Sequence, residues 1–472
     1  MSVLVRYGGA VAMAALAMGS GAVAQEKLPP RLETFRAIYK ELVEINTTDS
    51  VGDTVKAAEA MAARLRAGGF AEEDVKVLSS GPRKGNLVAR LRGTGAKKPI
   101  LLIAHIDVVE AKREDWAFDP FKLQEVDGFF RGRGTADDKA MAASFVANLI
   151  EYRKEGFTPE RDIILALTTD EELSDSPHDG AHWLLQNHRG LIDAEFAINE
   201  GGGGTLRDGK PARNSIQLAE KIYQTYRLEV TDPGGHSASG RRDNAIYRLV
   251  DGLARLSRFD FPVNLNDVTR GYFERVAPTE EGEVKDAIAK LLSGPVEPVS
   301  VAPLTARPAY NAQIRTTCVA TQLEAGHAEN ALPQTARASV NCRVLPNENI
   351  ADVEKTLTKV IDDPKIKITA IGTPVLSPPS PLNPQVMSEV EHISNEMWPD
   401  VPVIPTMSGG YTDSRWLRNA GIPAYGVSGL FSDPGKSGVH GLNEQVGVKQ
   451  LYDSKEFLYR LVKELAGRPE PH

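Results

Sequence analysis

Three apolar runs in the first half of this 472-residue chain each end on an imidazole or a carboxylate. Pro-Ile-Leu-Leu-Ile-Ala at 99–104 leads into His105 and Asp107, and Ile-Ile-Leu-Ala-Leu-Thr-Thr at 163–169 leads into Asp170, Glu171 and Glu172. Ala-Glu-Phe-Ala-Ile-Asn at 194–199 leads into Glu200. Asp137 and Asp138 sit in Gly-Arg-Gly-Thr-Ala-Asp-Asp-Lys, and His440 stands far downstream in Gly-Val-His-Gly-Leu-Asn-Glu. Short continuous apolar runs read as strands buried on both faces. In an open α/β sheet the carboxyl ends of such strands converge on one crevice, so groups distant in sequence can meet there. Imidazole and carboxylate together suit zinc-like divalent ions, and a paired site needs about five or six such groups with one shared. The pattern points to a two-metal hydrolase.

The segments around these runs give the fold class. Residues 31–45, 54–67 and 140–155 carry helical periodicity, while 86–91, 99–104, 161–169 and 195–198 read as strands. This alternation predicts an α/β fold: a layered αβα catalytic domain with a mostly parallel sheet. Near Lys221 the pattern changes to strand 223–230, helix 244–259, strands 314–323 and 335–345, helix 351–362 and strand 365–371. That order is β-α-β-β-α-β, the ferredoxin-like pattern of an inserted α+β domain. Residues 262–310, rich in Pro and Glu, take no assignment, and the proline-rich stretch 374–384 reads as a linker. The expected division is 25–220 and 374–472 for the catalytic domain, with 221–373 inserted as a lid or dimerisation domain.

Residues 1–24 read as a signal peptide: Arg6, an apolar run to Met18, then Ala22-Val23-Ala24 as the cleavage site. The run is too short to span a bilayer, so the expectation is an exported protein, periplasmic or secreted, with no membrane association after the leader is removed. A net charge of −8 argues against nucleic acid or anionic lipid as partner. Cys318 and Cys342 lie in segments that read as neighbouring strands; a disulfide and two buried thiols both remain open.

The motifs resemble the M20 metallopeptidases. They are His-Ile-Asp at 105–107, Gly-Arg-Gly-Thr-Ala-Asp-Asp-Lys at 132–139, Asp-Glu-Glu at 170–172, Gly-Gly-His-Ser at 234–237 and His-Gly-Leu-Asn-Glu at 440–444. They follow the family's order over nearly all of the chain, and Glu200-Gly-Gly-Gly is similar to the Gly-X carboxypeptidase branch. The resemblance implies two divalent ions, zinc in the first instance with cobalt or manganese as substitutes. His105 and Glu200 would bind one, Glu172 and His440 the other, and Asp137 both. It further implies Glu171 as general base, Asp107 as the carboxylate that orients His105, and a cis peptide bond at Asp137–Asp138. His236 would stabilise the oxyanion, in family dimers from the partner subunit; a homodimer through the inserted domain and, given the insertion at 262–310, supply of this histidine within one chain both remain open. Asn330 and Arg343, with the loop at Gly409 and Gly410, would hold the substrate's carbonyl and free carboxylate, a task suited to a planar guanidinium.

The implied substrates are small peptides or N-acyl amino acids with a free C-terminal carboxylate. Peptidase and aminoacylase both remain open. A binding protein on this fold would lack a ligand or the base, and here each position is filled. His178, His182, His188, His327 and His392 lack a matching acid and read as surface side chains. The run Gly201–Gly204 lacks the Lys-Ser/Thr of a P-loop and reads as a flexible rim beside Glu200.

Overall fold

The structure is a computed structural model that describes residues 28–173, 176–433 and 435–467; the expected signal peptide lies outside the described residues. Among those residues no helix is long and apolar enough to cross a membrane.

Ile100–His105 is buried at every position and pairs in parallel with Ile163–Thr168 on one side and Phe196–Asn199 on the other. Ala424–Gly426 extends this parallel centre beyond Phe196–Asn199. Around it a ten-stranded sheet runs from Val75–Gly81 to Phe431–Ser432, with antiparallel pairs toward its edges. Side chains alternate between two cores, as the period of two requires. Ile100, Leu102 and Ala104 join the core under the helices Pro30–Glu44, Thr54–Ala67, Lys139–Lys154 and Val448–Ala466. Leu101 and Ile103 face Ala181, Leu184, Leu417 and Ile422 on the opposite side. Lys139–Lys154 is buried around almost its whole circumference, which its Ala-Met-Ala-Ala-Ser-Phe-Val-Ala sequence permits. Its first turn follows directly on Asp138.

The second sheet is fully antiparallel, in the order Thr317–Ala325, Thr335–Val344, Ile222–Thr231 and Ile366–Ile371. Helices Ala245–Leu256 and Ile350–Ile361 cover one face and bury Tyr226, Leu228, Val340, Leu249 and Leu357. Cys318 stands opposite Cys342 in the ladder, and the two form a disulfide. The edge strand Thr317–Ala325 is largely exposed, including Val319 and Leu323.

Residues 262–310, unassigned from the sequence, are largely helical. They form the helices Asp267–Val276, Gly282–Ser293 and Ala302–Thr305, and lead into Pro308–Ile314. Tyr272, Phe273, Ile288, Leu291 and Leu304 pack into a separate core that takes in Ile404 from the main sheet. Gln313 Nε2 donates to the Met407 carbonyl at 2.8 Å, so this helical piece ties the small sheet to the large one. The stretch 374–384 is extended but anchored. Ser380 donates from its backbone to Leu218 O at 2.8 Å and from its hydroxyl to Ala424 O at 2.7 Å.

Candidate metal centre

His105 ends its strand with only 2% of its surface exposed. Its Nε2 lies 3.0 Å from Asp137 Oδ1 and its Nδ1 lies 3.1 Å from the Asp107 carbonyl. The Asp107 carboxylate accepts the backbone N–H groups of Glu171 and Glu172, at 3.2 and 3.1 Å. It therefore fixes the turn that presents both glutamates, while its main chain, closer than its carboxylate, meets the imidazole. Asp137 has one oxygen on His105 and the other 3.1 Å from His440 Nε2, which in turn lies 2.9 Å from Glu172 Oε1. The peptide bond between Asp137 and Asp138 is cis. His440 takes a positive φ of 58° on a loop otherwise held by its neighbours.

Among the described residues, two groups of three ligand atoms fall within 4.8 Å of one another: His105, Glu171 and Glu200, and His105, Asp137 and Glu172. So the structure brings His105, Asp107, Asp137, Glu171, Glu172, Glu200 and His440 together from five separate segments. This set fits divalent metals on its donor chemistry. It mixes imidazole with carboxylate, and Glu171 Oε1 and Asp138 Oδ2 are buried without a hydrogen-bond partner.

The electrostatics of the metal-free cluster are those of crowded acids. Burial, then the neighbouring Asp137, push Glu200 up to about 8; burial, then Asp179, push Asp413 to about 8. Burial also raises Glu171 well above the carboxylate range. Burial opposes the charged form of His105, yet its bonds to Asp107 and Asp137 outweigh that and hold it well above an ordinary imidazole. His440, bonded first to Asp137 and then to Glu172, is raised to about 10. Acids that hold protons and imidazoles that gain them are what a site built for cations shows without them.

Arg343, from the small sheet, donates to the Gly409 carbonyl at 3.0 Å and lies 4.7 Å over the Tyr223 ring. A Cβ on Gly409 would meet nothing within 4 Å. His236 pairs with Ala331 on a two-stranded ladder, and Asn330, just before that strand, accepts the Ser237 N–H on its carbonyl at 2.9 Å; His236 and Asn330 are both exposed. Among the described residues, no hydrogen bond links either side chain to the carboxylate cluster.

Other readings need correction. Gly201–Gly204 lines a cavity beside Glu200 and packs closely on its other side: a Cβ on Gly202 would stand 2.1 Å from Gly426 O, and one on Gly204 2.2 Å from the Phe431 ring. His178, His182 and His188 are part-buried. His178 Nδ1 lies 2.7 Å from Ser80 O, His182 stacks on Trp416 at 3.9 Å, and His188 packs on Trp183. His327 and His392 are exposed as expected.

Sequence reasoning missed Glu444 and Asp413. Glu444 is wholly buried and accepts from the backbone N–H of Gly134, Ala136 and Asp137, at 3.0, 2.7 and 3.2 Å. Arg133 pairs with it at 2.8 Å and donates to Gly441 O at 2.7 Å, which joins the Asp137 loop to the His440 loop. Its signal was its place as last residue of the His-Gly-Leu-Asn-Glu motif. Asp413 accepts the Thr168 hydroxyl at 2.6 Å and leaves its other oxygen buried and unpartnered.

Imidazoles and carboxylates gathered at the strand ends of an αβα sheet define a metal-dependent hydrolase. A model described as Peptidase family M20/M25/M40 matches residues 101–464, and the chain belongs to that family. It is 29% identical over 385 residues to the human N-fatty-acyl-amino acid synthase/hydrolase PM20D1, covering 79% of this chain and 75% of that protein. It is also 29% identical to the probable carboxypeptidase S-like 2 of Dictyostelium discoideum, covering 78% and 71%. The M20 family metallo-carboxypeptidase Sso-CP2 of Sulfolobus solfataricus shares the fold, with a TM-score of 0.64 at 18% identity over 93% of this chain and 100% of that one.

Proposed function

We propose that the chain hydrolyses the amide bond of N-acyl amino acids and small peptides that keep a free carboxylate. Two divalent ions, zinc in the first instance, would be held by His105, Asp137, Glu172, Glu200 and His440. The observation that carries this reading is Asp137 set between His105 and His440, with one carboxylate oxygen toward each imidazole. Relatives named for N-acyl amino acids and for carboxypeptidase activity support the substrate class.

Divalent ions bound there would polarise the scissile carbonyl and lower the pKa of a nearby water. Glu171 suits the general base: it is buried, one oxygen is free of partners, and its backbone is fixed by Asp107. It takes a proton from the water whose oxygen attacks the carbonyl carbon. As the C–N bond breaks it returns that proton to the nitrogen, which leaves an acid and a free amine. Arg343 pairs with the substrate carboxylate beside the loop at Gly409 and Gly410. Asn330 and His236, on the same domain, hold the carbonyl and the oxyanion, with His236 supplied by a second subunit across the exposed strand Thr317–Ala325. Export is part of this reading, on the small-x-small motif at Ala22–Ala24.

The test is a panel of dipeptides and N-acyl amino acids, each with its amidated counterpart, assayed before and after chelation. Chelator-sensitive cleavage confined to free carboxylates is expected. Absence of cleavage in both classes after zinc, cobalt and manganese loading would overturn the proposal.

A further inference from the structure

The loop 409–413 meets Arg343 across the two domains, and one buried acid holds its far end. Val403–Ser408 and Lys210–Glu220 run in parallel, with Ser408 opposite Glu220 where both strands end. The Lys221 N–H donates to Ser408 O at 2.9 Å and fixes the start of the loop. Past Gly410 and Tyr411, the Thr412 hydroxyl donates to Glu220 Oε1 at 2.6 Å and fixes its end. The same hydroxyl oxygen accepts the Ser414 N–H at 3.1 Å and the Asn199 amide at 3.3 Å. An N–H can only donate and a carboxylate only accept, so the hydroxyl proton has one direction to point. Between the two clips, the Gly409 carbonyl accepts Arg343 Nη1 at 3.0 Å.

Glu220 has no exposed surface, and Thr412 has only 5%. Gln217 Nε2 donates to Glu220 at 3.2 Å, the Ser377 hydroxyl donates at 3.0 Å, and Arg418 pairs with it at 3.1 Å. One carboxylate therefore joins the chain entering the small-sheet domain, the chain leaving it and the loop that meets Arg343. Apolar side chains of similar volume often replace a buried ion pair with no loss of stability. Packing alone does not call for an acid here, whereas holding a hydroxyl in one direction does.

We propose that Thr412, set by Glu220, is a positioning residue for the substrate's free carboxylate. Neither side chain touches the substrate. Their hydrogen bond holds the backbone of Gly409–Tyr411, and the Gly409 carbonyl in turn orients the Arg343 guanidinium that pairs with the carboxylate. The inference rests on the hydrolytic reading above and adds to it what keeps the carboxylate anchor in place. It also separates this anchor from the metals. Asn199 precedes Glu200, and when Thr412 loses its hydroxyl Asn199 keeps the closer Ser414 hydroxyl at 2.9 Å, so the strand end that carries Glu200 stays tied.

The experiment compares Thr412→Val and Thr412→Ala, which lose the hydroxyl, with Thr412→Ser, which keeps it. Glu220 retains Gln217, Ser377 and Arg418 in all three, and thermal melting checks that each is folded. On the metal-loaded protein, KM for a free-carboxylate substrate should rise by about tenfold in the Val and Ala variants, the loss of one charge-assisted hydrogen bond. Their kcat should stay within about threefold, since binding rather than chemistry is affected. The KM of the amidated counterpart should change far less, metal content should equal that of the parent, and Thr412→Ser should recover most of the lost affinity. A second readout needs no catalysis: calorimetric titration of the chelated protein with N-acetyl-leucine and N-acetyl-leucinamide, where the parent should prefer the acid and the Val and Ala variants should lose that preference.

Equal changes for acid and amide overturn the proposal, as does an unchanged KM in a folded hydroxyl-free variant. A Ser variant as weak as the Val variant assigns the effect to side-chain volume and rejects the hydroxyl. Metal lost from the Val and Ala variants places Thr412 with the metal ligands instead. If no amide is cleaved by any form, the hydrolytic reading fails, and the calorimetric preference for acid over amide still decides the role of Thr412; a parent with no such preference overturns it.

Discussion

The Glu444 carboxylate and the backbone N–H of Asp137 are 3.2 Å apart, although 307 residues of sequence separate them. Through this contact, and through Ala136 and Gly134, the loop that carries His440 holds the loop that carries Asp137. The position of Asp137 between two imidazoles is thus set by a buried acid that touches neither.

Glu444→Gln should therefore act on metal affinity rather than on chemistry. It keeps the shape but removes the charge opposite Arg133, which lies 3% exposed. Loss of such a supporting group lowers metal affinity by about 10–100-fold. Titration with zinc against a chromogenic chelator reads this directly, and saturating metal should restore most of kcat. An unchanged affinity would remove Glu444 from the positioning role.

Glu171→Ala should lose about 10²–10⁴-fold in kcat, the contribution of a positioned base. Its metal content should stay near that of the parent, since the proposed ligands are His105, Asp137, Glu172, Glu200 and His440. Because Glu171 also groups with His105 and Glu200 within 4.8 Å, metal analysis is the deciding measurement. Loss of metal together with activity would exchange the assignments of Glu171 and Glu172.

The crowded acids give the metal-free protein a distinct pH dependence. Glu200 and Asp413 rise to about 8 in the folded state, well above the ordinary carboxylate range. A raised folded pKa contributes stability that is present below the unfolded value and is lost as pH climbs through the folded one. His440, raised to about 10, adds a loss in the same direction from its ordinary value near 6.5 upward. The chelated protein should then melt at progressively lower temperature from about pH 5 to pH 7, below the range in which the buried Lys139 and Lys221, lowered to about 7, act in the opposite direction. Metal loading should recover more stability at the alkaline end, because binding requires the ligands deprotonated. A melting temperature that rises over that window in the chelated protein would contradict this account.

Arg343→Ala should raise KM for free-carboxylate substrates by about 10–150-fold, the range of a charge-assisted pair of 1.5–3 kcal/mol. An amidated analogue should change far less. Equal losses on the two would remove Arg343 as the carboxylate anchor and leave it the link to Gly409 seen in the structure.

Much of this was legible in the sequence, for local reasons. The strand Ile100–His105 was readable because a centre strand is apolar almost throughout, and the acids were readable because they recur together at strand ends in the order of one family's motifs. The helices of 262–310 were not, because their prolines read as breakers. Pro298, Pro303 and Pro308 instead occupy first-turn positions, where the missing N–H costs nothing. Glu444 and Asp413 were hidden for another reason: whether a charge is buried depends on distant chain, and no local pattern records it. Glu220, at the end of the catalytic segment, is likewise fully buried and bonded to Thr412, Ser377 and Gln217 and paired with Arg418.

The last expectation concerns His236. It is exposed on the small-sheet domain, its Nδ1 accepting the Ala238 N–H at 3.1 Å, and Asn330 O accepts the Ser237 N–H beside it at 2.9 Å. The helical piece 262–310 braces this domain on the main sheet through Ile404 and Met407, which limits how far the domain can swing to carry His236 into its own chain's site. The edge strand Thr317–Ala325, with Val319 and Leu323 exposed, offers unpaired backbone to a second copy. Mixing Glu171→Ala with His236→Ala, each nearly inactive alone, should restore activity, because a mixed dimer contains one site with both an intact base and the partner's histidine. Subunit exchange is checked by native mass spectrometry of differently tagged chains. Exchange without recovered activity would place His236 in its own chain's site or outside catalysis, and normal activity of the His236→Ala protein alone would select the latter.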